Sequence, residues 1–516
     1  MGWLDYAVMA VYLAGMVLIG VVCSRKERDT SDYLLGGRSI PYWALAISMF
    51  ATLFSALSFL GTPSEAYRYG SRMFLAAFLA PPLIYLALRL FLRFYYRLGA
   101  FTPYGYLERR FDRSVRLWAS VLFMLQRGIY LAVVLYASSV AFKSVCGWPP
   151  WATILILGVL GTFYTVLGGV KAVVWTDVAQ FAVFFGGLVV MIAMLGRDVD
   201  GGVLGGVVYA FEHGRGFRFD PSFWTFNPFE RVTVWLLLFS TAGTYFFTYS
   251  ADQLNVQRVL ATKSYRDARR ASYLSWAVGL PISVMLYLIG VLLFAFYAAS
   301  PAAEGLRDIA ADRAFPVYIA RFLPPPLPGV LMSALMAAIM STLDSGMNSL
   351  SAIFVKDIYK PFLRPDADEA SELRVAHYAT LAVGVFMIGM SLFITSLGDE
   401  GTTTIFEISG IWSAVVLMLT VVFLLGVTTR SVGPRLIKFL LAAAVVLAVV
   451  SGKLLYYDMP PGERISFTLV GNAGGFFMLL VGYGYAALAK APAAPERLAG
   501  LTLFDSREPP RDSGGV

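Results

Sequence analysis

Apolar stretches of about twenty residues recur along the whole chain, and they constrain its fold more than any other feature of the sequence. A helix rises about 1.5 Å per residue, so a helix of this length crosses a hydrocarbon layer of about 30 Å while satisfying its own backbone hydrogen bonds. The chain is 58% hydrophobic and 14% charged, too little polar material for a water-soluble protein of 516 residues. The sequence therefore predicts an all-α membrane protein with about thirteen spans. They are 3–23, 41–62, 73–97, 115–142, 151–167, 174–195, 232–250, 272–298, 328–356, 376–397, 404–427, 436–456 and 467–488.

The formal net charge is +8, and most basic residues lie in short loops between the spans. Membrane proteins concentrate Lys and Arg in cytoplasmic loops. The set of loops that includes Arg25, Arg109, Arg269 and Arg430 carries about twice as many cations as the opposite set. This bias predicts an external N-terminus and a cytoplasmic C-terminus in a bacterial plasma membrane, with the lipid bilayer rather than nucleic acid as partner. Asp5 and the absence of a basic leading segment argue against a cleaved signal peptide.

Two predicted spans are interrupted in the middle by small hydroxyl residues and glycine. Span 41–62 contains ATLFSALSFLGT, and span 232–250 contains FSTAGTYFFT, where we expect a break at 241–244. Interruptions at corresponding positions are typical of transporters built from two inverted repeats. The sequence predicts repeats at 41–195 and 232–427. The other predicted segments are a leading helix with a cytoplasmic loop (1–40), an extracellular loop (196–231), two C-terminal helices (428–489) and a disordered cytoplasmic tail (490–516).

Four stretches occur in the order typical of one transporter family. They are DYLLGGRSIPYWALAISMFATLFSALSFLGTPSEAYRYG (32–70), GGVKAVVWTDVAQ (168–180), ADQLNVQRVLATKSYRDARRAS (251–272) and AAIMSTLDSGMNSLSAIFVKDIY (337–359). Together they resemble the sodium:solute symporter family, which includes carriers of sugars, proline, sialate, monocarboxylates, iodide and vitamins. The resemblance implies a LeuT-type fold of 5+5 inverted repeats, with one helix before and two after the repeats. It also implies alternating access and coupling to sodium.

A first sodium site is expected between the two repeats. Sodium is a hard cation that prefers oxygen ligands, and a helix that unwinds frees backbone carbonyls to supply them. Ala338, Ser341 and Thr342 stand at i, i+3 and i+4 and therefore share one helix face. The carbonyls of Ala51 and Phe54 lie beside the expected break in span 41–62. These five positions match the sodium site that the family resemblance implies.

A second cation site is expected from the same resemblance, with Asp177, Ser341, Asp344 and Ser345 as its residues. Asp344 stands where the family pattern leads us to expect a serine. Two buried carboxylates close together need a cation or a proton between them, and the sequence leaves both possibilities open. Asp177 has an alternative role at a helix N-terminus near Lys171, where the helix dipole favours a negative charge.

The substrate pocket is expected beside the first break, at Leu53, Ser55 and Ser58. Carriers of sugars place polar side chains in this region, and a sugar bound to these mostly apolar positions would leave hydroxyl groups unpaired. The sequence therefore disfavours a sugar.

An arginine in the middle of a predicted span points to an anionic substrate. Gln126 and Arg127 are in that position, and Arg binds carboxylates through two parallel hydrogen bonds. The alternative is an ion pair between Arg127 and Glu407 or another acid. Tyr245 and Phe246, which follow the second expected break, are candidates for a gate or a stacking surface, with plain packing as the alternative.

The predicted function is thus sodium-coupled import of a small organic anion, such as a monocarboxylate or a sialic-acid-like molecule, by a monomeric carrier. A proline-type or sugar symporter is the alternative within the family, and a transport-related membrane sensor is the alternative outside it. The tail is too short for a signalling domain. Two scattered histidines offer no catalytic or metal centre, and the chain contains no GxxxxGK[ST] loop for ATP.

Overall fold

The computed structural model of the protein describes residues 1–24, 30–99, 101–217, 219–227, 229–396, 414–460, 467–489, 498 and 500–504. The main helices are α1 (Trp3–Ser24), α2 (Tyr42–Leu53), α3 (Ala56–Tyr69), α4 (Arg72–Leu98), α5 (Tyr104–Arg110), α6 (Arg113–Cys146), α7 (Pro150–Asp198), α8 (Gly202–Glu212), α9 (Val234–Ser250), α10 (Gln253–Leu260), α11 (Tyr265–Ala299), α12 (Ala311–Phe322), α13 (Leu327–Leu363), α14 (Glu369–Ser396), α15 (Ala414–Thr428), α16 (Pro434–Gly452) and α17 (Phe467–Leu488). Shorter helices occupy Thr30–Leu35 and Pro221–Trp224.

The helices confirm an all-α, multi-pass membrane protein. In the described part of the chain, eight helices are long and apolar enough to cross a membrane, and α2 with α3 forms a ninth span that is bent by 65°. Helix α7 covers two predicted spans, because its 49 residues would extend about 74 Å if they were straight. Gly169, with φ 47° and ψ −161°, breaks the helix between them. The predicted span 404–427 begins outside the described residues and continues as α15.

Helix α13 is the central element of the fold. Every residue from Leu331 to Ile353 is buried, and α1, α6, α7 and α14 pack around this part of the helix. Its first turn is fixed by Asp5, whose Oδ1 accepts a hydrogen bond from the Gly329 amide at 3.0 Å. A carboxylate stabilises the free N–H groups at the start of a helix. Asp5 therefore joins α1 to the helix that carries three of the predicted sodium ligands.

The second interruption lies later in the chain than predicted. Helix α9 continues without a break through 241–244. The hydroxyl groups of Thr244 and Thr248 donate to carbonyls four residues earlier in the same helix, at 2.9 and 2.8 Å. The helix ends at Ser250, and Asp252 then accepts a hydrogen bond from the Leu254 amide to begin α10. The expected break at 241–244 is wrong, and the chain breaks at 251–252.

The predicted tail is partly ordered. Residues 500–504 pack against the loops around Arg97 and Arg430, and Leu501 and Thr502 are buried. The prediction of disorder is therefore wrong for these residues. They lie at the end of the helix bundle that also contains α5 and α10, which we call the basic end after the cation-rich loops found there. The other end, where α1 and α13 begin, is called the opposite end.

Candidate functional site

The break between α2 and α3 exposes backbone carbonyls inside the bundle. Phe54 and Ser55 both have extended backbone conformations, with φ/ψ of −100°/103° and −105°/175°. The Phe54 amide still donates to the Phe50 carbonyl at 3.0 Å, but the next amides in α3, those of Ser58 and Phe59, both donate to the Ser55 carbonyl. No described backbone N–H reaches the carbonyls of Ala51 and Phe54, which lie between these turns, and buried carbonyls are normally paired. The carbonyl oxygens of Ala51 and Phe54 therefore need other partners, and both face α13.

The partners are the two hydroxyl residues predicted on α13. Ser341 Oγ lies 3.0 Å from the Ala51 carbonyl oxygen and 3.2 Å from that of Ala338. Thr342 Oγ1 lies 3.4 Å from the Phe54 carbonyl oxygen and 3.3 Å from that of Ala338. Five oxygen atoms from two segments thus converge. A hydroxyl has a single hydrogen to donate but two lone pairs, so both side chains can turn their lone pairs toward a cation.

The space beside these oxygens suits a single small particle. A cavity of about 10 Å³, roughly the volume for one water-sized particle, borders Ala51, Ala338 and Ser341. The amide side chain of Gln180 also lines it, and the remaining wall is formed largely by aromatic rings, namely Phe50, Phe54, Phe181 and Phe184. Electrostatic attraction between a cation and oxygen ligands is strong in such an apolar enclosure.

The predicted second cation site contains an arginine. Arg258 Nη2 lies 3.2 Å from Asp177 Oδ2 and donates a second hydrogen bond to Ser345 Oγ. Its Nε donates to Ser48 Oγ at 2.6 Å, and Ser48 in turn donates to Asp177 at 2.5 Å. Arg258 is 3% exposed and Asp177 is fully buried. A fixed guanidinium therefore occupies the position where a second sodium ion would meet Asp177 and Ser345.

Asp344 points away from this cluster. Its Oδ2 accepts a hydrogen bond from the Tyr164 hydroxyl, and its Oδ1 accepts one from Thr165 Oγ1 at 3.1 Å. Both partners belong to the first half of α7. The four residues of the predicted second site are thus divided among three places: Asp177 and Ser345 at Arg258, Ser341 at the first site, and Asp344 at α7.

The basic end of the site is closed by α10. All eight residues of this helix are buried. The hydrogen bonds around it join Tyr95 Oη to the Ser250 carbonyl (2.5 Å), Tyr104 Oη to the Ala251 carbonyl (2.8 Å) and Gln257 Nε2 to Asn348 Oδ1 (2.9 Å). Arg127 pairs with Asp252 at 2.8 Å, directly before α10. We call α10 and these contacts the inner barrier.

A larger cavity adjoins the break on the side away from α13. Its volume is about 390 Å³, and it lies among α2, α4, α9 and α11. Its wall combines aromatic residues with the hydroxyl groups of Ser240, Thr241, Thr244, Thr248, Ser272, Ser275 and Ser283. Among the residues described as lining it, none carries a charge.

The structure brings only part of the predicted substrate site to this cavity. Leu53 and Tyr245 line it. The other five predicted residues are not among those that line it. The Ser55 hydroxyl lies 3.3 Å from the Tyr130 hydroxyl, and Phe246 packs against Phe91. The remaining three are Ser58, Gln126 and Arg127. Glu407, the alternative partner for Arg127, lies outside the described residues, and Asp252 takes that role.

Comparison with known families agrees with this geometry. The model of the "Sodium:solute symporter family" matches residues 33–434, which include both helix breaks and the five converging oxygens. The chain belongs to the sodium:solute symporter family.

Several members of the family are similar to this chain over long stretches, although it spans less than two thirds of the length of the animal monocarboxylate and multivitamin transporters. The human "Sodium-coupled monocarboxylate transporter 1" is 32% identical over 405 residues, or 76% of this chain and 65% of the human protein. The "Sodium/sialic acid symporter SiaT" of Proteus mirabilis is 28% identical over 488 residues, or 93% of this chain and 94% of that protein. A solved structure of a Na⁺-coupled sialic acid symporter in a substrate-bound outward-open state superimposes with a TM-score of 0.82 at 26% identity. It covers 95% of this chain and 99% of the solved one.

Three polar residues of the candidate site were not predicted from sequence. Arg258 and Asp252 fall inside the stretch 251–272, which was noted for its family resemblance but was not assigned a site role. Ser48 lies one turn before Thr52 in α2, and the Thr52 and Ser345 hydroxyls are 2.9 Å apart. Charged residues in a short segment between two apolar spans were the available signal for Arg258 and Asp252.

Proposed function

We propose that this chain is a sodium-coupled symporter that imports a small organic anion by alternating access. The observation that carries the proposal is the convergence of five oxygens, from Ala51, Phe54, Ala338, Ser341 and Thr342, between a broken and a continuous helix. A cation held there bridges the two repeats. Binding of sodium therefore stabilises the shape of the broken helix, whose other side borders the cavity of about 390 Å³.

We further propose that one sodium ion is bound in each cycle. Arg258 already neutralises Asp177, which leaves that position without a vacant charge for a second ion. A proton or cation at Asp344 is the alternative, because the hydroxyls of Tyr164 and Thr165 donate to this buried carboxylate and it has no ion-pair partner among the described residues. One charge crossing 100 mV provides about 2.3 kcal/mol, which sustains a solute gradient of nearly fiftyfold.

The structure favours a small monocarboxylate over a larger sialic-acid-like molecule. Arg127, the predicted carboxylate-binding residue, is paired with Asp252 and does not line the cavity. The lining instead supplies neutral hydroxyl groups and aromatic rings, with Leu53 and Tyr245 as the proposed substrate contacts. A polyhydroxylated substrate would require many hydrogen bonds, whereas a compact anion needs few. Five of the seven lining serine and threonine hydroxyls already donate to carbonyls of their own helices, namely those of Ser240, Thr244, Thr248, Ser272 and Ser283.

The cytoplasm is proposed to lie at the basic end. The described basic residues there include Arg109, Arg269, Lys356 and Arg430, in agreement with the bias of cytoplasmic loops toward Lys and Arg. The inner barrier then separates the site from the cytoplasm, and substrate enters from the opposite end.

Uptake into proteoliposomes tests the proposed function. With an inward sodium gradient, we expect accumulation of radiolabelled short monocarboxylates above the external concentration, and little uptake with choline in place of sodium. Unlabelled sialic acid, proline and glucose serve as competitors at equal concentration. Equal uptake in sodium and choline would contradict sodium coupling, and competition by glucose or proline alone would contradict the anionic substrate.

The pair of Arg127 and Asp252 provides a separate prediction. Replacing Arg127 by Gln leaves a buried carboxylate unpaired, and breaking such a pair costs about 3–5 kcal/mol. We expect a lower melting temperature and little transport. Adding Asp252→Asn removes the unpaired charge and should restore both, with KM for the substrate near that of the wild type. Loss of substrate binding in the double variant, while sodium still stabilises the protein, would instead show that Arg127 binds the substrate.

A further inference from the structure

The C-terminal residues 500–504, which we call the strap, lie in a groove at the basic end. Four hydrogen bonds hold their backbone. They join Arg97 Nη1 to the Gly500 carbonyl (3.0 Å), Tyr106 Oη to the Leu501 carbonyl (2.8 Å), the Leu503 amide to the Val427 carbonyl (2.8 Å) and Arg430 Nη2 to the Phe504 carbonyl (2.6 Å). The segment is therefore fixed along its whole length.

The side chains of the strap divide into a buried and an exposed pair. Leu501 and Thr502 are 7% and 2% exposed, whereas Leu503 and Phe504 are 40% and 59% exposed. The Phe504 ring lies 5.5 Å from the Arg430 guanidinium, which adds a cation–π contact. Hydrogen bonds to the backbone fix the path of the strap, and the buried Leu501 side chain fixes its position along that path.

The strap joins the two repeats. Arg97 lies in the last turn of α4 and Tyr106 lies in α5, both in the first repeat. Val427 is the last residue of the second repeat as predicted from sequence, and Arg430 follows it. If these helices move relative to one another at the basic end, the strap must lose its hydrogen bonds to at least one of the two repeats.

The strap also contacts the inner barrier through one residue. The ring centroid of Tyr106 lies 6.4 Å from that of Tyr95 and 6.1 Å from that of Phe423. Tyr95 donates its hydroxyl hydrogen to the Ser250 carbonyl, two residues before Asp252 and the start of α10. The path from strap to barrier thus runs through Tyr106 and Tyr95.

We infer that the strap is a latch formed by this chain itself, which holds the basic end closed and slows its opening. The inference rests on the proposed function, because only a carrier that alternates needs to open this end. Release of Leu501 from its pocket removes the anchor of the segment, and Tyr106 then loses its acceptor. The inner barrier then opens more often.

Thiol labelling of the barrier tests this inference. Val256 in α10 is 1% exposed, and Val256→Cys in a background with Cys23→Ser and Cys146→Ser gives a single reporter. The full-length protein is embedded in nanodiscs and treated with a water-soluble maleimide. We expect Leu501→Asp, and a chain ending at Arg497, to increase the labelling rate about tenfold, as expected from loss of one buried leucine.

Two matched controls separate the latch from a general loss of structure. Leu503→Asp places the same charge on an exposed position of the strap, and a chain ending at Asp505 removes only the residues beyond it. Both should label like the parent. Equal labelling of Leu501→Asp, the chain ending at Arg497 and the parent would refute the latch, as would faster labelling of the controls. The labelling rate is measured without substrate. A negative uptake experiment would therefore contradict the proposed function without deciding whether the strap holds the barrier closed.

Discussion

Replacing Ser341 by Ala is expected to raise the sodium concentration for half-maximal uptake by roughly ten- to 150-fold, and Thr342→Val should have a similar effect. Each change removes one oxygen ligand from the five. A polar contact to a charged group contributes about 1.5–3 kcal/mol, and this range corresponds to that change in affinity. The double variant should lose measurable sodium dependence. The measurement is initial uptake rate against sodium concentration in proteoliposomes.

A serine outside the site provides the control for this prediction. Ser333 lies on the same helix and is equally buried, and its hydroxyl donates to the Gly329 carbonyl at 2.8 Å. Ser333→Ala should leave the sodium dependence unchanged, because this hydroxyl bonds only within its own helix. Thr342→Ser, which retains the oxygen ligand, should recover most of the affinity. Unchanged sodium dependence in the Ser341 and Thr342 double variant would contradict the site.

Replacing Arg258 by Met should have the second large effect. The change leaves the carboxylate of Asp177 buried without a counter-charge, and breaking such a pair costs about 3–5 kcal/mol. We expect a strongly lowered melting temperature in potassium. In sodium the loss should be smaller, because an ion can enter the space of the guanidinium and meet Asp177, Ser48 and Ser345. The measurement is the melting temperature of purified protein in the two salts.

Two further variants test whether the charge itself is responsible. Asp177→Asn added to Arg258→Met removes the unpaired carboxylate, so stability should return and the extra stabilisation by sodium should disappear. Arg258→Lys retains the charge but not the planar group that reaches Asp177 and Ser345 together, and it should lie between the parent and Arg258→Met. Equal melting temperatures of Arg258→Met in sodium and potassium would contradict an added sodium site.

The first sodium site could be predicted because each of its two segments carries a local pattern, and the family resemblance supplied their pairing across 290 residues. Ser341 and Thr342 share a helix face through spacing alone, and small hydroxyl residues mark the break beside Ala51 and Phe54. The structure places these five oxygens together as the sequence indicates, while their role in sodium binding stays a prediction. The apolar stretches fixed the helices for the same reason, since each span satisfies its own backbone within the membrane.

The features that could not be predicted depend on contacts distant in sequence. The hydroxyl residues Thr244 and Thr248 resemble those of the first break and, like Thr52 there, donate within their own helix. Composition alone therefore could not show that α9 stays intact while α2 ends at Leu53. The partner of Arg127 is Asp252, 125 residues away, and nothing near Arg127 identifies it. The partner of Arg258 is likewise distant in sequence, since Asp177 lies 81 residues away. A buried charge is easy to recognise in sequence, whereas its counter-charge requires the packed structure.

Arg258 has an electrical consequence if the chain alternates as proposed. Its guanidinium belongs to α10, at the basic end, whereas its partner Asp177 belongs to α7. If opening of that end displaces α10 relative to α7, a positive charge moves within the electric field of the membrane, and a full crossing corresponds to about 2.3 kcal/mol per 100 mV. We then expect the membrane potential to act on the protein through this side chain even when no ion is transported.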